Sequence, residues 1–434
     1  MSPKQRYLVA AAGFLGWLFA GVQLGATSLV MRDAAKDLLA VEDEKIIGQW
    51  FGWLVASFLL GAALGGYLFG WLGDKLGRKK AMIASILCYS CFFGITYLVN
   101  APWQLLVIRF LTGLGVGGMW PNGIALVSEA WPNMSRPLIA GIIGTAANVG
   151  IMLFSLLLCF VYVSPDDWRW VTVLCWISIV ISGLIAALVP ESPKWLALQS
   201  SDNDSDFHTA QPKRTSPLIE IFQPPLLRLT VIGILLGTIP LFGGWNNANW
   251  ANSWASQVGD VKKSETEESE PQEEAKPDPA LKARVLFARS SMGSISSLLG
   301  AGLAVVLGRR LCYFVLSLAC LFCAQYMFWF SHPSQPDFVY WTGGLGFFSG
   351  FFFGWLPLCL PELFPTRVRS TGAGVSFNFG RILTVVGILA AASMLRQMFD
   401  GDYAQIGRIT SWIYAVGMVV IWFAPDTSKN GIED

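Results

Sequence analysis

"EAWPNMSR" (129–136) returns 233 residues later as "ELFPTRVR" (362–369), and both read Glu, any residue, aromatic, Pro, three residues, Arg. The match continues beyond the arginines. Gly141 and Gly374 follow them at one distance, and further along Asn148 and Arg381 hold equivalent places. A second pair is weaker: "GWLGDKLGRKK" (70–80) answers to "AGLAVVLGRR" (301–310), with Val305 where Asp74 stood. Two similar halves in parallel orientation are what a transporter needs if it rocks about a site between them.

The composition supplies the membrane. Of 434 residues 54% are hydrophobic and 14% charged, and the mean hydropathy is +0.52, outside the soluble range. The net charge is +1 with scattered lysines and arginines, which argues against a nucleic-acid partner. Apolar runs long enough for a hydrocarbon core of about 30 Å fall near 7–31, 46–72, 81–99, 103–129, 138–162 and 169–190. Six more fall near 226–254, 284–307, 311–330, 338–360, 371–395 and 405–424.

The first run follows "MSPKQR" without a small-residue cleavage site, so it reads as a retained helix. Both termini then share a side. The amino terminus, "GDKLGRKK" (73–80), "GRR" (308–310) and "PTRVRS" (365–370) concentrate basic residues on that side, which makes it cytoplasmic. On the other side lie "MRDAAKDLLAVEDEK" (31–45) and the low-complexity "VGDVKKSETEESEPQEEAKPDP" (258–279), where disorder is expected. The expected domains are an N-terminal six-helix bundle (1–190), a cytoplasmic linker (191–225) and a C-terminal six-helix bundle (226–434). The last carries an acidic extracytoplasmic loop at about 256–282.

Catalysis finds no support in the residues. The eight cysteines lie in apolar runs, and the C-x-x-C pairs Cys88/Cys91 and Cys320/Cys323 have neither His208 nor His332 beside them. Helix packing accounts for them without a metal. No Gly-x-Ser-x-Gly elbow, P-loop or His-Glu-x-x-His occurs, so no enzyme activity, cofactor or metal is expected.

"GWLGDKLGRKK" matches throughout the loop signature Gly-x-x-x-Asp-Arg/Lys-x-Gly-Arg-Arg/Lys, and the chain thereby resembles the major facilitator superfamily. "RFLTGLGVGG" (109–118), "PESPKWL" (190–196), "PELFPTRVRSTGAG" (361–374) and the closing "PDTSKNGIED" extend the resemblance over the whole chain. It implies an all-α polytopic membrane protein, with twelve transmembrane helices in two six-helix pseudo-repeat bundles, working as a monomer by alternating access. "GVGGMWPNGIALVSEAWPNMSRP" with an arginine in the eleventh helix is similar to the sialate and organic-acid branches. The "PESP" ending is shared with sugar and organic-ion porters.

In that family the loop residues latch the halves. The resemblance carries this gating role onto Asp74, Lys75, Gly77, Arg78 and Lys79, although a basic loop also serves topology alone. Glu129 with Arg136 and Glu362 with Arg369 are expected as matching pairs at helix ends. Arg109 matches the family's fourth-helix arginine, with a possible coupling role. Snorkelling to the interface is nevertheless a sufficient account of Arg109 and of Arg289, with a second anion-attracting group as the alternative for Arg289.

Arg381 stands ten residues past Thr371, about 15 Å into the membrane, where a charge costs roughly 2.5–3.5 kcal/mol by insertion scales. No aspartate or glutamate lies at that depth in the sequence. Two readings stay open. Carbonyls, hydroxyls and water could satisfy it, with Asn378 or Thr384 on its own helix, or its planar guanidinium could await an anionic substrate. The resemblance favours the second, since organic-anion porters often carry a substrate arginine there. Asn148 is expected to face the same cavity, and Asn246, Asn249, Trp250 and Ser253 share one stripe at i, i+3, i+4 spacing. Interfacial Trp and Asn belts also explain such a stripe. Gln23, Trp120, Asn122 and Trp355 are further candidates.

Proton-coupled organic-acid relatives show Asp-x-x-Asp in the first helix, where "LFAGVQLG" (18–25) has Ala20 and Gln23. Neither titrates, so facilitated diffusion or exchange is expected, with symport through Glu129 or Glu362 as the alternative. The expected cargo is a small organic anion, an acidic sugar or monocarboxylate, with a neutral sugar second. The expected location is a bacterial inner membrane. A non-transporting sensor on the same fold is a third possibility.

Overall fold

The structure is a computed structural model and describes residues 1–131, 136–197, 217–268, 280–365 and 368–427. Among these, twelve helices are long and apolar enough to cross a membrane. The first six are α1 (Pro3–Leu29), α2 (Glu44–Leu76), α3 (Arg78–Leu98), α4 (Pro102–Ala130), α5 (Arg136–Phe160) and α6 (Trp168–Leu188). The second six are α7 (Leu226–Glu268), α8 (Leu281–Leu307), α9 (Arg309–Phe330), α10 (Pro336–Glu362), α11 (Arg369–Gln397) and α12 (Tyr403–Phe423).

The chain departs from the expected loops in two places. Met31–Leu39 forms a short helix after α1, with Met31, Arg32, Asp33, Ala34 and Ala35 buried. Its apolar residues cluster on one side of the turn, a pattern the charge count of the segment conceals. α7 runs on to Glu268 through residues expected to be disordered, and its Lys and Glu there are good helix formers. The rest of that acidic stretch, 269–279, lies outside the described residues, as do 198–216 of the linker.

The repeat is visible in the packing. Gly113 and Gly117 of α4 press on the carbonyls of Phe58 and Ala62 in α2, and a Cβ at either glycine would overlap those oxygens. In the second half Gly346 and Gly350 of α10 press in the same way on Arg289 and Gly293 of α8. Close backbone approach through small residues is how helices associate in lipid, where apolar burial supplies no drive. The glycines are related by the 233-residue offset, and their α2 and α8 partners by 231. Gly77 and Gly308, also 231 apart, turn the chain at φ 109° and 81°, which L side chains rarely adopt.

Candidate functional site

Polar side chains gather at three levels. At the loop end, Arg78 pairs with Asp74 and reaches Glu129 at 3.7 Å, while Glu129 also accepts from the Ser192 hydroxyl. Glu191 accepts from the Lys79 amide at 2.9 Å, and its carboxyl lies where a side chain at Gly77 would stand. The Lys79 ammonium donates to the Ala186 carbonyl, and Lys75 lies over the Trp71 ring. In the other half Arg309 makes two hydrogen bonds to Glu362, at 3.0 and 3.2 Å. Arg78 and Arg309 are repeat partners 231 apart, so these are matching pairs.

The expected pairing of Glu362 with Arg369 is therefore corrected. Arg369 donates to the Phe364 carbonyl, and Glu362 takes Arg309 because that guanidinium can approach it with two parallel N–H groups. The side chain of Arg136 lies outside the described residues. Two candidates for the substrate site are also found at this end. Asn122 donates to the carbonyls of Phe69 and Gly118 beside Gly73 and Arg78. Trp355 donates to the Arg309 carbonyl.

Midway along the helices the halves touch along two seams. On the α2–α11 seam, Arg381 donates to the Ala62 carbonyl at 3.3 Å and lies 4.8 Å from the Phe377 ring centroid. On the α5–α8 seam, Asn148 approaches the Gly293 carbonyl at 3.4 Å. These two contacts are repeat images, since 148 maps to 381 and 62 to 293. One turn away, Thr145 meets Ser297 at 3.2 Å, and its image Asn378 lies against Gly66. Arg381, Asn148 and Asn378 are half-buried. Gln23 is buried with its side-chain oxygen unpartnered, and Trp120 packs on Trp17 at 5.0 Å between ring centroids.

The two arginines assigned to the interface are inside the protein. Arg109 is 0% exposed, donates to the Thr27 hydroxyl of α1 and lies 4.4 Å from the Phe58 ring centroid. Arg289 donates to the Gly244 carbonyl of α7 at 3.0 Å. Helix position alone suggested snorkelling, but α1, α2 and α7 close over both guanidiniums.

The third level, away from the loop, joins the halves through polar contacts. Ser28 donates to Asn249 at 2.7 Å, Arg32 to Ser256 at 3.0 Å, and Arg32 also pairs with Glu44. Asp33 pairs with Lys282, Gln49 accepts from Arg396, and Tyr403 donates to Glu44 at 3.0 Å. Trp250 donates to Asn246 and lies between the rings of Phe51 and Tyr403. Asn249 and Trp250 thus meet the first half, at Ser28 and Phe51, while Asn246 bonds within its own helix to Phe242 and Trp250. Sequence reading missed Asn247 and Asn252, buried on the same helix with unpartnered amide atoms. It also missed the charges of 31–45, some of which pair with one another, as Arg32 does with Glu44, and some with residues remote in sequence, as Asp33 does with Lys282.

Comparison with known proteins agrees with this architecture. The Escherichia coli xylose transporter XylE in its inward-open conformation superposes with a TM-score of 0.74 over 98% of each chain, at 17% identity. The niacin transporter NiaP of Acinetobacter baylyi is 25% identical over 452 residues, covering 96% of this chain and 94% of its own. The cis,cis-muconate transport protein of the same organism is 25% identical over 336 residues, covering 76% and 75%. The family model described as Major Facilitator Superfamily matches residues 8–388. The chain belongs to the Major Facilitator Superfamily.

Proposed function

We propose that this secondary transporter carries a small organic anion across a bacterial inner membrane, with Arg381 as the carboxylate anchor. One observation carries the reading. Arg381 stands at mid-membrane, half-buried, and no carboxylate lies within ion-pair distance of it among the described residues. A guanidinium there needs neutralising, and a substrate carboxylate does so by two parallel hydrogen bonds. Its single bond to Ala62 crosses to the other half, so ligand capture and rocking meet at one side chain. Asn148 and Asn378 would line the same space. Niacin and muconate, named for two of the relatives, are both carboxylates.

The proposed division is 1–190, 191–225 and 226–434, with both termini cytoplasmic and the monomer as the working unit. Transport proceeds by uniport or exchange, since the hydroxyl of Thr27, not a carboxylate, faces Arg109. Accumulation against a gradient that a proton ionophore abolishes would count against this.

The test is counterflow in proteoliposomes with labelled sialate, lactate, a hexuronate and glucose, for wild type and Arg381→Gln. Exchange of an acid that the folded variant loses supports the reading. Exchange of glucose by both proteins makes Arg381 structural and the neutral-sugar alternative correct.

A further inference from the structure

We infer that the lipid-facing side of α9 and α12 holds a phospholipid by its phosphodiester, with Arg408 as the anion contact. The site lies at the end of the helices away from the loops of Gly77 and Gly308, and it does not depend on the reading of Arg381. Arg408 stands five residues past Tyr403, the first residue of α12, or about 8 Å from that end. Gln325 and Trp329 stand within five residues of Phe330, the last residue of α9. All three are therefore close to headgroup depth, where Trp rings collect. Along α12, Gln405, Ile409, Trp412, Val416 and Val419 form an exposed stripe, with Gly407 and Tyr414 buried on the other side. At 3.6 residues per turn, Arg408 lies about 60° from the middle of that stripe.

Neighbours on α9 give the same direction. The Phe328 ring is buried, lies where a side chain at Gly407 would stand, and stacks on Trp254 of α7. Trp329, next in sequence, turns the other way and is 57% exposed. The Arg408 guanidinium lies over the Trp329 ring, 4.0 Å from its centroid, and so on the side that meets lipid.

The guanidinium is braced. Its Nε donates to the Phe328 carbonyl at 2.8 Å, which sets the direction of the fork. The ring beneath it is held as well: the Trp329 indole donates to Gln325 at 3.0 Å, and the Gln325 amide donates to the Arg408 carbonyl at 2.8 Å and to the Ser411 hydroxyl at 2.7 Å. The guanidinium makes no ion pair and no further hydrogen bond among the described residues, and neither terminal nitrogen is sealed inside the protein. An arginine that merely snorkels follows the water on a free stem and needs no such bracing. A fixed planar fork suits a phosphate, whose oxygens accept two parallel N–H groups. At this depth in a bilayer the anion within reach is the lipid phosphate. Trp412, one turn further along α12 on the same face and 58% exposed, lies where the chains below such a headgroup would run.

The experiment is native mass spectrometry of the delipidated full chain in detergent, titrated with phosphatidylglycerol or with diglucosyl diacylglycerol, which carries sugars in place of the phosphate. In wild type the first phosphatidylglycerol should bind at least about tenfold more tightly than the glycolipid. Arg408→Gln should remove that preference by weakening phosphatidylglycerol about tenfold while leaving the glycolipid within about twofold. Arg408→Lys, which keeps the charge without the planar fork, should fall between the two. Trp329→Leu, with the arginine in place, should weaken phosphatidylglycerol about threefold. Equal affinity for the two lipids in wild type overturns the inference, as does a preference that survives Arg408→Gln. Where that variant fails to fold, Arg408→Lys and Trp329→Leu decide, and a preference unchanged in both overturns the inference. Inorganic phosphate that raises the melting temperature of wild type but not of Arg408→Gln, with the two lipids bound alike, would assign the site to a free anion and overturn the lipid assignment.

Discussion

Removing the Lys282 ammonium tests whether the outer closure is held by charge. Lys282 at the start of α8 donates to Asp33 behind α1, and the two side chains are 12% and 4% exposed. In Lys282→Met, Asp33 is left with Arg32 at 3.8 Å, a guanidinium already shared with Glu44 and Ser256. Breaking a buried pair costs about 3–5 kcal/mol, and with Arg32 still in reach about 2 kcal/mol is the share expected here. The penalty falls on the closed form alone, because opening that end returns Asp33 to water. At 1.4 kcal/mol per tenfold, the equilibrium moves about 30-fold toward the form open at that end. Spin labels at positions 160 and 340, at the exposed outer ends of α5 and α10, read it as a longer distance population. Exchanging the charges, with Asp33→Lys and Lys282→Asp together, should return the wild-type distribution. An unchanged distribution in the single variant, or a double variant that behaves as the sum of its singles, would refute the reasoning.

Three further outcomes follow from the contacts. Gly117→Val should lower the melting temperature in detergent, since its side chain would meet the Ala62 carbonyl and overpacking costs about 1–3 kcal/mol. Glu362→Gln strips Arg309 of its charged partner and should destabilise the second half by about 1–3 kcal/mol, read as the same melting shift, while substrate affinity in counterflow stays within about twofold. Thr27→Asp places a titratable carboxylate within hydrogen-bond reach of the sealed Arg109. Uptake by that variant should change when a proton ionophore is added, and the wild type should not respond.

The twelve spans and the two halves were legible because both depend on short-range signals. An apolar run of membrane length declares itself, and "EAWPNMSR" repeated as "ELFPTRVR" fixes the register of one half on the other. Arg381 could be picked out for a similar reason: one charge in an apolar helix is visible whatever surrounds it. Partners were not legible. Glu362 lies seven residues from Arg369 and 53 from Arg309, yet pairs with the latter, since helix ends separated in sequence meet at the rim of one bundle. Trp250 and Asn249 share the stripe that periodicity indicated. A stripe has a direction but no depth, so nothing in it distinguished outer closure from substrate level. Arg109 and Arg289 were misplaced for the same reason, since depth along a helix says nothing about which neighbours cover it.

The repeat also explains why a single charge can carry so much. Each mid-membrane seam rests on a side chain donating to a backbone carbonyl of the opposite half, Arg381 to Ala62 and Asn148 to Gly293. A carbonyl bond is weak enough to break during rocking, since a net hydrogen bond is worth about 0.5–1.5 kcal/mol. On the proposed reading of Arg381, exchanging it for a substrate carboxylate would cost little on the seam while gaining a charge-assisted pair. Asn148 offers the same bond without the charge. The two seams are alike in geometry and unlike in charge, with a guanidinium on one and an amide on the other. The asymmetry lies in the second half, where Arg381 stands opposite Asn148, and Arg289 stands where its repeat image is Phe58.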